Sequence, residues 1–200
     1  MLPEDDTNKP TSPILEARPE TDAAPAAEPA RTGGVFLWFR DVLVSVAASV
    51  LIIMFLYQPV RVEGTSMLPR LEDRDRLVIN KFVYHFEAIH RGDVVVFHYP
   101  RDPEKSYIKR VIALPGDRLR IDDGQVWVNG KALIELYVPE EYRDAKSMAP
   151  MVVPDGTYFM MGDHRSISSD SREFGPVERD LIYGKAVFVY WPTKDAGVVN

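Results

Sequence analysis

Three polar clusters in this 200-residue chain combine residue types that chemistry requires. The first is EGTSMLPRLE, residues 63–72. Ser66 lies there between Gly64 and Pro69, a turn-prone setting that exposes a hydroxyl and neighbouring backbone N–H groups. A serine beside free N–H groups suits a nucleophile with an oxyanion site, although serines in turns are common and this cluster alone is a weak signal. The second is Lys109 in YIKRVIALPGD, residues 107–117. A lysine acts as a general base only when neutral near pH 7, and burial against apolar groups lowers its pKa by disfavouring the charged form. Tyr107 and Val111 would share its face of a strand and supply that burial; a snorkelling or salt-bridged lysine is the commoner arrangement. Lys109 and Arg110 are adjacent, so a strand sends them to opposite faces. If either face is buried, one cation goes inward. The third cluster is MGDHRSISSDSREFGPV, residues 161–177. It holds Asp163, His164, Arg165, Asp170, Arg172 and four serines (Ser166, Ser168, Ser169 and Ser171). An Asp170–Arg172 bridge would stiffen this loop, and one of the hydroxyls would orient another group. The residues alone do not choose among the four serines.

These clusters need a scaffold, and residues 59–200 read as a single, mostly β domain of ordinary size. DVVVFHY (93–99) reads as a buried strand, and TYFMM (157–161) and YGKAVFVYW (183–191) as further strands. QVWVNGKAL (125–133) is a hairpin turning at Asn129-Gly130. Residues 77–90 stand between strand and short helix.

Upstream lies an apolar run, residues 35–58, without a charge from Val42 to Tyr57. As a helix, 23 of its residues would span about 35 Å, against about 30 Å for a bilayer core. Arg40 and Asp41 would pair, or Arg40 would snorkel to the headgroups. No small-x-small cleavage site follows in QPVRVEG, so the run reads as a transmembrane anchor retained in the chain. Arg31 and Arg40 favour a cytoplasmic N-terminus in an inner or plasma membrane, with 59–200 extracytoplasmic; Arg61 opposes them, so charge alone does not decide. Residues 1–34 carry seven acidic and three basic residues among Pro and Ala, and read as a disordered tail.

Composition excludes several classes. A net charge of -6 and the lack of a basic stripe with interleaved aromatics argue against nucleic acid as a partner. The absence of cysteine removes disulfides and thiolate sites. His85, His90, His98 and His164 lack HExxH-type spacing and read as surface or packing residues, so no metal or cofactor is expected.

The order of the motifs is more specific than any one of them. An apolar helix, SM-x-P, RGDVVVF (91–97), YIKRVIALPGD and GDHRSISSDSR succeed one another, and together they resemble the type I signal peptidases over about residues 40–192. These are membrane-tethered Ser/Lys-dyad proteases that release signal peptides from exported preproteins. The resemblance implies antiparallel β-sheets, with a variable second β region within about 120–155. It implies Ser66 as nucleophile, Lys109 as general base, Ser168 as the hydroxyl bonded to the lysine amine, and Asp170–Arg172 as a structural salt bridge. The oxyanion site would use the Ser66 N–H and the Gly64 region, where relatives often carry a hydroxyl residue. His164 stands where relatives usually have Asn, which makes it the rival base. Two small pockets reading an A-x-A pattern would be lined by Val60, Val62, Leu71, Tyr107 and Ile108. A related Ser/Lys peptidase with one dedicated substrate, and a tethered binding domain with a vestigial site, are the competing readings.

Overall fold

The computed structural model describes residues 33–199. The expected tail, residues 1–34, lies almost wholly outside them. The first element, α1 (Gly33–Leu56), is a 24-residue helix, long and apolar enough to cross a membrane. Arg40 and Asp41 pair within it at 2.8 Å. The helix stops two residues short of the expected boundary. Tyr57 and Gln58 belong instead to strand β1 (Tyr57–Arg61), because they pair with Asn80 and Ile79 of β2 (Arg76–Asn80). The Leu56 carbonyl accepts a hydrogen bond from the Lys81 N–H at 3.2 Å.

The stretch 77–90 is both of the things it resembled: β2, then a single helical turn, α2 (Val83–Phe86). The Asn80 side chain makes the switch by accepting from the N–H groups of Phe82 and Val83 at 2.9 and 3.0 Å. Next come β3 (Val94–Tyr99) and β4 (Asp102–Ala113). Strands β5 (Arg118–Asp122), β6 (Gln125–Val128), β7 (Lys131–Ala132) and β8 (Met148–Val152) follow. The chain closes with β9 (Thr157–Met161), α3 (Ser171–Phe174), β10 (Val177–Glu178), β11 (Ile182–Trp191) and β12 (Gly197–Val198).

Two antiparallel sheets result. The larger has the order β1-β2-β11-β3-β4-β9-β10, with β12 on β11; the smaller has the order β7-β6-β5-β8. β4 and β9 are neighbours, so the smaller sheet is an excursion between two paired strands of the larger one. The Asn129-Gly130 turn is as expected: both residues have positive φ, 52° and 80°, which the tight hairpin between β6 and β7 requires.

Apolar alternation places the cores. Val94 and Val96 of β3 pack with Val62, Met67, Leu71, Leu77 and Ile79 in one core. Val95 and Phe97 pack with Val111, Met160 and Tyr84 in another. A strand covered on both faces reads as an unbroken apolar run, which is why VVVF carries no alternation. A third core lies against the smaller sheet, around Ile112, Leu119, Ile121, Val126 and Phe159.

Candidate active site

Strand β4 is interior to the larger sheet, and both of its adjacent cations are taken inward. Lys109 is 4% exposed and Arg110 is 2% exposed. Each face takes one cation inward, because both faces of β4 are covered. Alternation still separates the two, and their surroundings differ. Arg110 is neutralised: its Nε and Nη2 donate to Asp163 at 2.9 and 2.7 Å, its Nη1 donates to the Gly92 carbonyl at 2.9 Å, and its guanidinium stacks 4.1 Å from the Tyr137 ring. Lys109 has no carboxylate partner among the described residues. Its Nζ lies 2.6 Å from Ser66 Oγ and 3.1 Å from the Ile108 carbonyl, with the Tyr107 ring centroid 5.3 Å away. Burial holds the lysine pKa down to about 8 from an ordinary 10.5, while the charges of Asp170 and Asp163 pull weakly the other way. A neutral amine fits this pocket: one N–H serves the Ile108 carbonyl and the lone pair faces the serine hydroxyl.

Ser66 sits on an irregular turn after β1. The turn is anchored from below. Met67 and Leu71 are fully buried and joined by a Leu71 N–H to Met67 carbonyl bond of 2.9 Å. This corrects Leu71 as a pocket residue: one helical turn from Met67, it faces the core rather than the cleft. The Ser66 N–H has no protein acceptor among the described residues, which leaves it free to bind an oxyanion. Gly64 contributes differently from expectation. Its N–H is already taken by Asp73 Oδ1 at 2.9 Å, so it cannot be the second oxyanion donor.

The loop 161–177 closes on this turn from the other side. The His164 N–H donates to the Ser66 carbonyl at 3.1 Å. Gly162 is packed so closely that a Cβ there would overlap the Ser66 carbonyl and Ser168 Oγ, so any other residue would push the loop off the serine. Asp170 receives Nε and Nη2 of Arg172 at 2.8 Å each and the Gly162 N–H at 3.1 Å. Burial raises the Asp170 pKa, but the Arg172 bonds and charge, the Gly162 N–H and the nearby Ser168 hydroxyl outweigh it and hold the carboxyl below its usual range. Ser168 is brought to the site, but its hydroxyl does not bond the lysine amine. Its Oγ is buried, packs against Gly162 and has no well-formed hydrogen bond. The amine is already engaged by Ser66 and Ile108.

His164 is not arranged as a base. Its Nδ1 is 3.3 Å from the Thr65 carbonyl, and its ring meets Tyr142 edge-on at 4.6 Å. The Asp163 carboxylate that would orient it is held by Arg110.

Ser66 and Lys109 open into a cleft of about 710 Å³ lined by Val60, Val62, Thr65, Tyr107, Ile108 and Ser169, among others. Four of the five residues expected to line a pocket are therefore there. Tyr183, Leu77 and Val96 line it as well and escaped the sequence reading. So did Glu135 and Asp144. The buried Arg165 donates twice to Glu135, with Nη1 to Oε2 at 2.8 Å, and Arg172 Nη1 donates to Asp144 at 2.7 Å. Both acids come from the long connection between β7 and β8, and no local spacing links them to arginines 28 and 30 residues away. Among the described residues, no group of His, Asp or Glu is arranged to hold a metal ion.

A signal peptidase I of solved structure from Enterococcus faecalis is 29% identical and covers 50% of this chain and 97% of its own, with a TM-score of 0.45. Signal peptidase I of Bacillus licheniformis is 36% identical over 81% of this chain and 91% of the relative. A probable signal peptidase I-1 of Synechocystis is 37% identical over 78% and 82%. The family described as signal peptidase, peptidase S26, matches residues 35–191, nearly the whole described length, and the chain belongs to that family.

Proposed function

We propose that this enzyme is a membrane-anchored serine endopeptidase that removes N-terminal signal peptides from exported preproteins after an A-x-A pattern, with Ser66 as nucleophile and neutral Lys109 as general base. The observation that carries the reading is the 2.6 Å contact between Ser66 Oγ and a buried lysine amine of lowered pKa, at the edge of an open cleft. Lys109 Nζ takes the hydroxyl proton as Ser66 Oγ bonds to the scissile carbonyl carbon. The Ser66 N–H stabilises the resulting oxyanion. The carbon–nitrogen bond then breaks, and the ammonium returns its proton to the leaving amine. In the second half, the amine takes a proton from water, the hydroxide oxygen bonds to the acyl carbon, and Ser66 leaves with the proton. Once Ser66 is acylated, Lys109 loses its hydroxyl partner, and in this reading the buried Ser168 hydroxyl takes its place. Asp170 and Arg172 keep the loop in place. Helix α1 is the membrane anchor, with the catalytic domain outside the cytoplasm and a lipid bilayer as permanent partner. The preprotein chain would lie extended along the cleft beside Val60, Val62, Tyr107 and Ile108.

The test is kcat/KM against pH on a peptide whose signal part ends in A-x-A. Below about 8 the amine is protonated and cannot accept the serine proton, so activity rises with pH through one ionisation near that value and levels off above it. His164→Asn is expected to keep activity within a few-fold and to leave this limb in place, because the backbone N–H, not the ring, holds Ser66. A limb near the ordinary histidine pKa of about 6.5 that disappears in His164→Asn would instead make histidine the base.

A further inference from the structure

The floor of the cleft has three half-buried apolar side chains packed on the core below: Val60 from β1, Ile108 from β4 and Tyr183 from β11. Tyr183 is the single aromatic among them. It also sits where the pairing of β11 with β3 slips. Ile182 is opposite Phe97 and Gly184 is opposite Val96, so Tyr183 is an extra residue in a bulge. Bulges re-aim a side chain, and they concentrate next to active sites. The re-aimed ring is braced. The His98 ring of β3 lies 4.7 Å from it, tilted by 34°, and His98 Nδ1 is 3.0 Å from the Pro103 carbonyl. Tyr183 also borders a second hollow at the end of α1, lined by Met54, Phe55, Pro59 and Phe82. The ring is thus a wall between two cavities.

We propose that Tyr183 limits the size of the substrate side chain three residues before the scissile bond. This rests on the reading above, in which the substrate lies extended with its acyl carbon at Ser66. In such a chain, the residue next to the scissile bond and the one two before it face the same side, about 7 Å apart. The nearer one lies at the dyad. Tyr183 falls between the β3 residues Phe97 and Val96, which pair with Tyr107 and Ile108, two residues and one residue along β4 from Lys109. That is about 5 Å of strand, nearer to the 7 Å offset of the farther side chain than to the side chain at Ser66, so the ring meets the farther of the two. A smaller residue at 183 opens the wall toward the second hollow and admits a larger substrate side chain.

The experiment measures kcat/KM of the full-length, detergent-solubilised enzyme on matched peptides. These carry Ala or Leu three residues before the scissile bond, or Ala or Leu immediately before it. Wild type is expected to prefer Ala at both places. Tyr183→Val, which keeps strand propensity, lowers the Ala-over-Leu ratio at the third position by about tenfold or more and leaves the ratio next to the bond within about threefold. Tyr183→Trp shifts the third-position ratio the opposite way and decides alone if the valine variant fails to fold. An unchanged third-position ratio in the folded variants overturns the proposal; so does an equal change at both positions, or a wild type that does not discriminate at the third. Failure of the enzyme reading itself is seen separately, as Ser66→Ala cleaving the Ala/Ala peptide at the wild-type rate.

Discussion

Replacing Lys109 with methionine is expected to cost at least about a thousandfold in kcat/KM and, at the same time, to stabilise the fold. The two effects share one cause. A lysine held at about 8 rather than 10.5 is a base near neutral pH because its site disfavours the ammonium form. That same disfavour is a folding cost of roughly 3 kcal/mol whenever the amine is protonated. The folded pKa is below the unfolded one, so the cost is fully present below about 8 and relaxes as pH rises from there toward 10.5. Methionine fills a similar volume without the charge, so its advantage in thermal unfolding is largest at pH 7 and shrinks through that window. Loss of the bonds to Ser66 and Ile108 takes back part of the gain. Ser66→Ala is expected to be equally inactive with near-normal stability. Lys109→Arg is inactive as well, since a guanidinium does not deprotonate, and it is less stable than either. A methionine variant that is both inactive and less stable than wild type at pH 7 would make Lys109 a structural residue rather than a base.

Breaking the Arg110–Asp163 pair is expected to be the most damaging single change apart from those at Ser66 and Lys109. Asp163→Ala leaves the 2%-exposed Arg110 with the Gly92 carbonyl and the Tyr137 ring but no counter-charge. Removing one partner of a buried pair typically costs about 3–5 kcal/mol. Burial raises the Asp163 pKa despite Arg110, so the site is one in which desolvation already weighs heavily. Activity falls with stability, because Asp163 lies between Gly162, which packs against the Ser66 carbonyl, and His164, whose N–H bonds it. The double variant Arg110→Met/Asp163→Leu is expected to regain much of the lost stability by removing both charges together. Thermal unfolding of wild type, the single variant and the double variant is the measurement. A cost below about 1 kcal/mol for Asp163→Ala would show that water, not Asp163, satisfies the arginine.

Ser66 and Lys109 meet across 43 residues of sequence, and each drew attention through a local pattern. An apolar run of uniform hydropathy makes a helix whatever follows it. The Asn129-Gly130 pair makes a tight turn because few other residues adopt positive φ at both positions. Adjacent Lys109 and Arg110 must point to opposite faces of any strand. These are backbone geometry and steric preference, which act within a few residues.

What lay beyond the sequence depended on neighbours far along the chain. Alternation separated the two cations of β4 but did not show that both faces would be covered; that follows from the Ser66 turn packing over Lys109 and from Asp163 and Tyr137 packing over Arg110. Leu71 read as a cleft residue because nothing local reveals that the Ser66 turn carries it beneath, next to Met67. Glu135 and Asp144 lie in an irregular connection with no periodicity, and they became partners of Arg165 and Arg172 only when folding brought the two segments together. Tyr183 stood in an ordinary strand pattern; the slip of register that turns it into the cleft belongs to the pairing of β11 with β3 and to neither strand alone. Secondary structure follows from short-range preference, whereas burial of charge, register and the direction of one side chain are set by packing between segments that the sequence keeps apart.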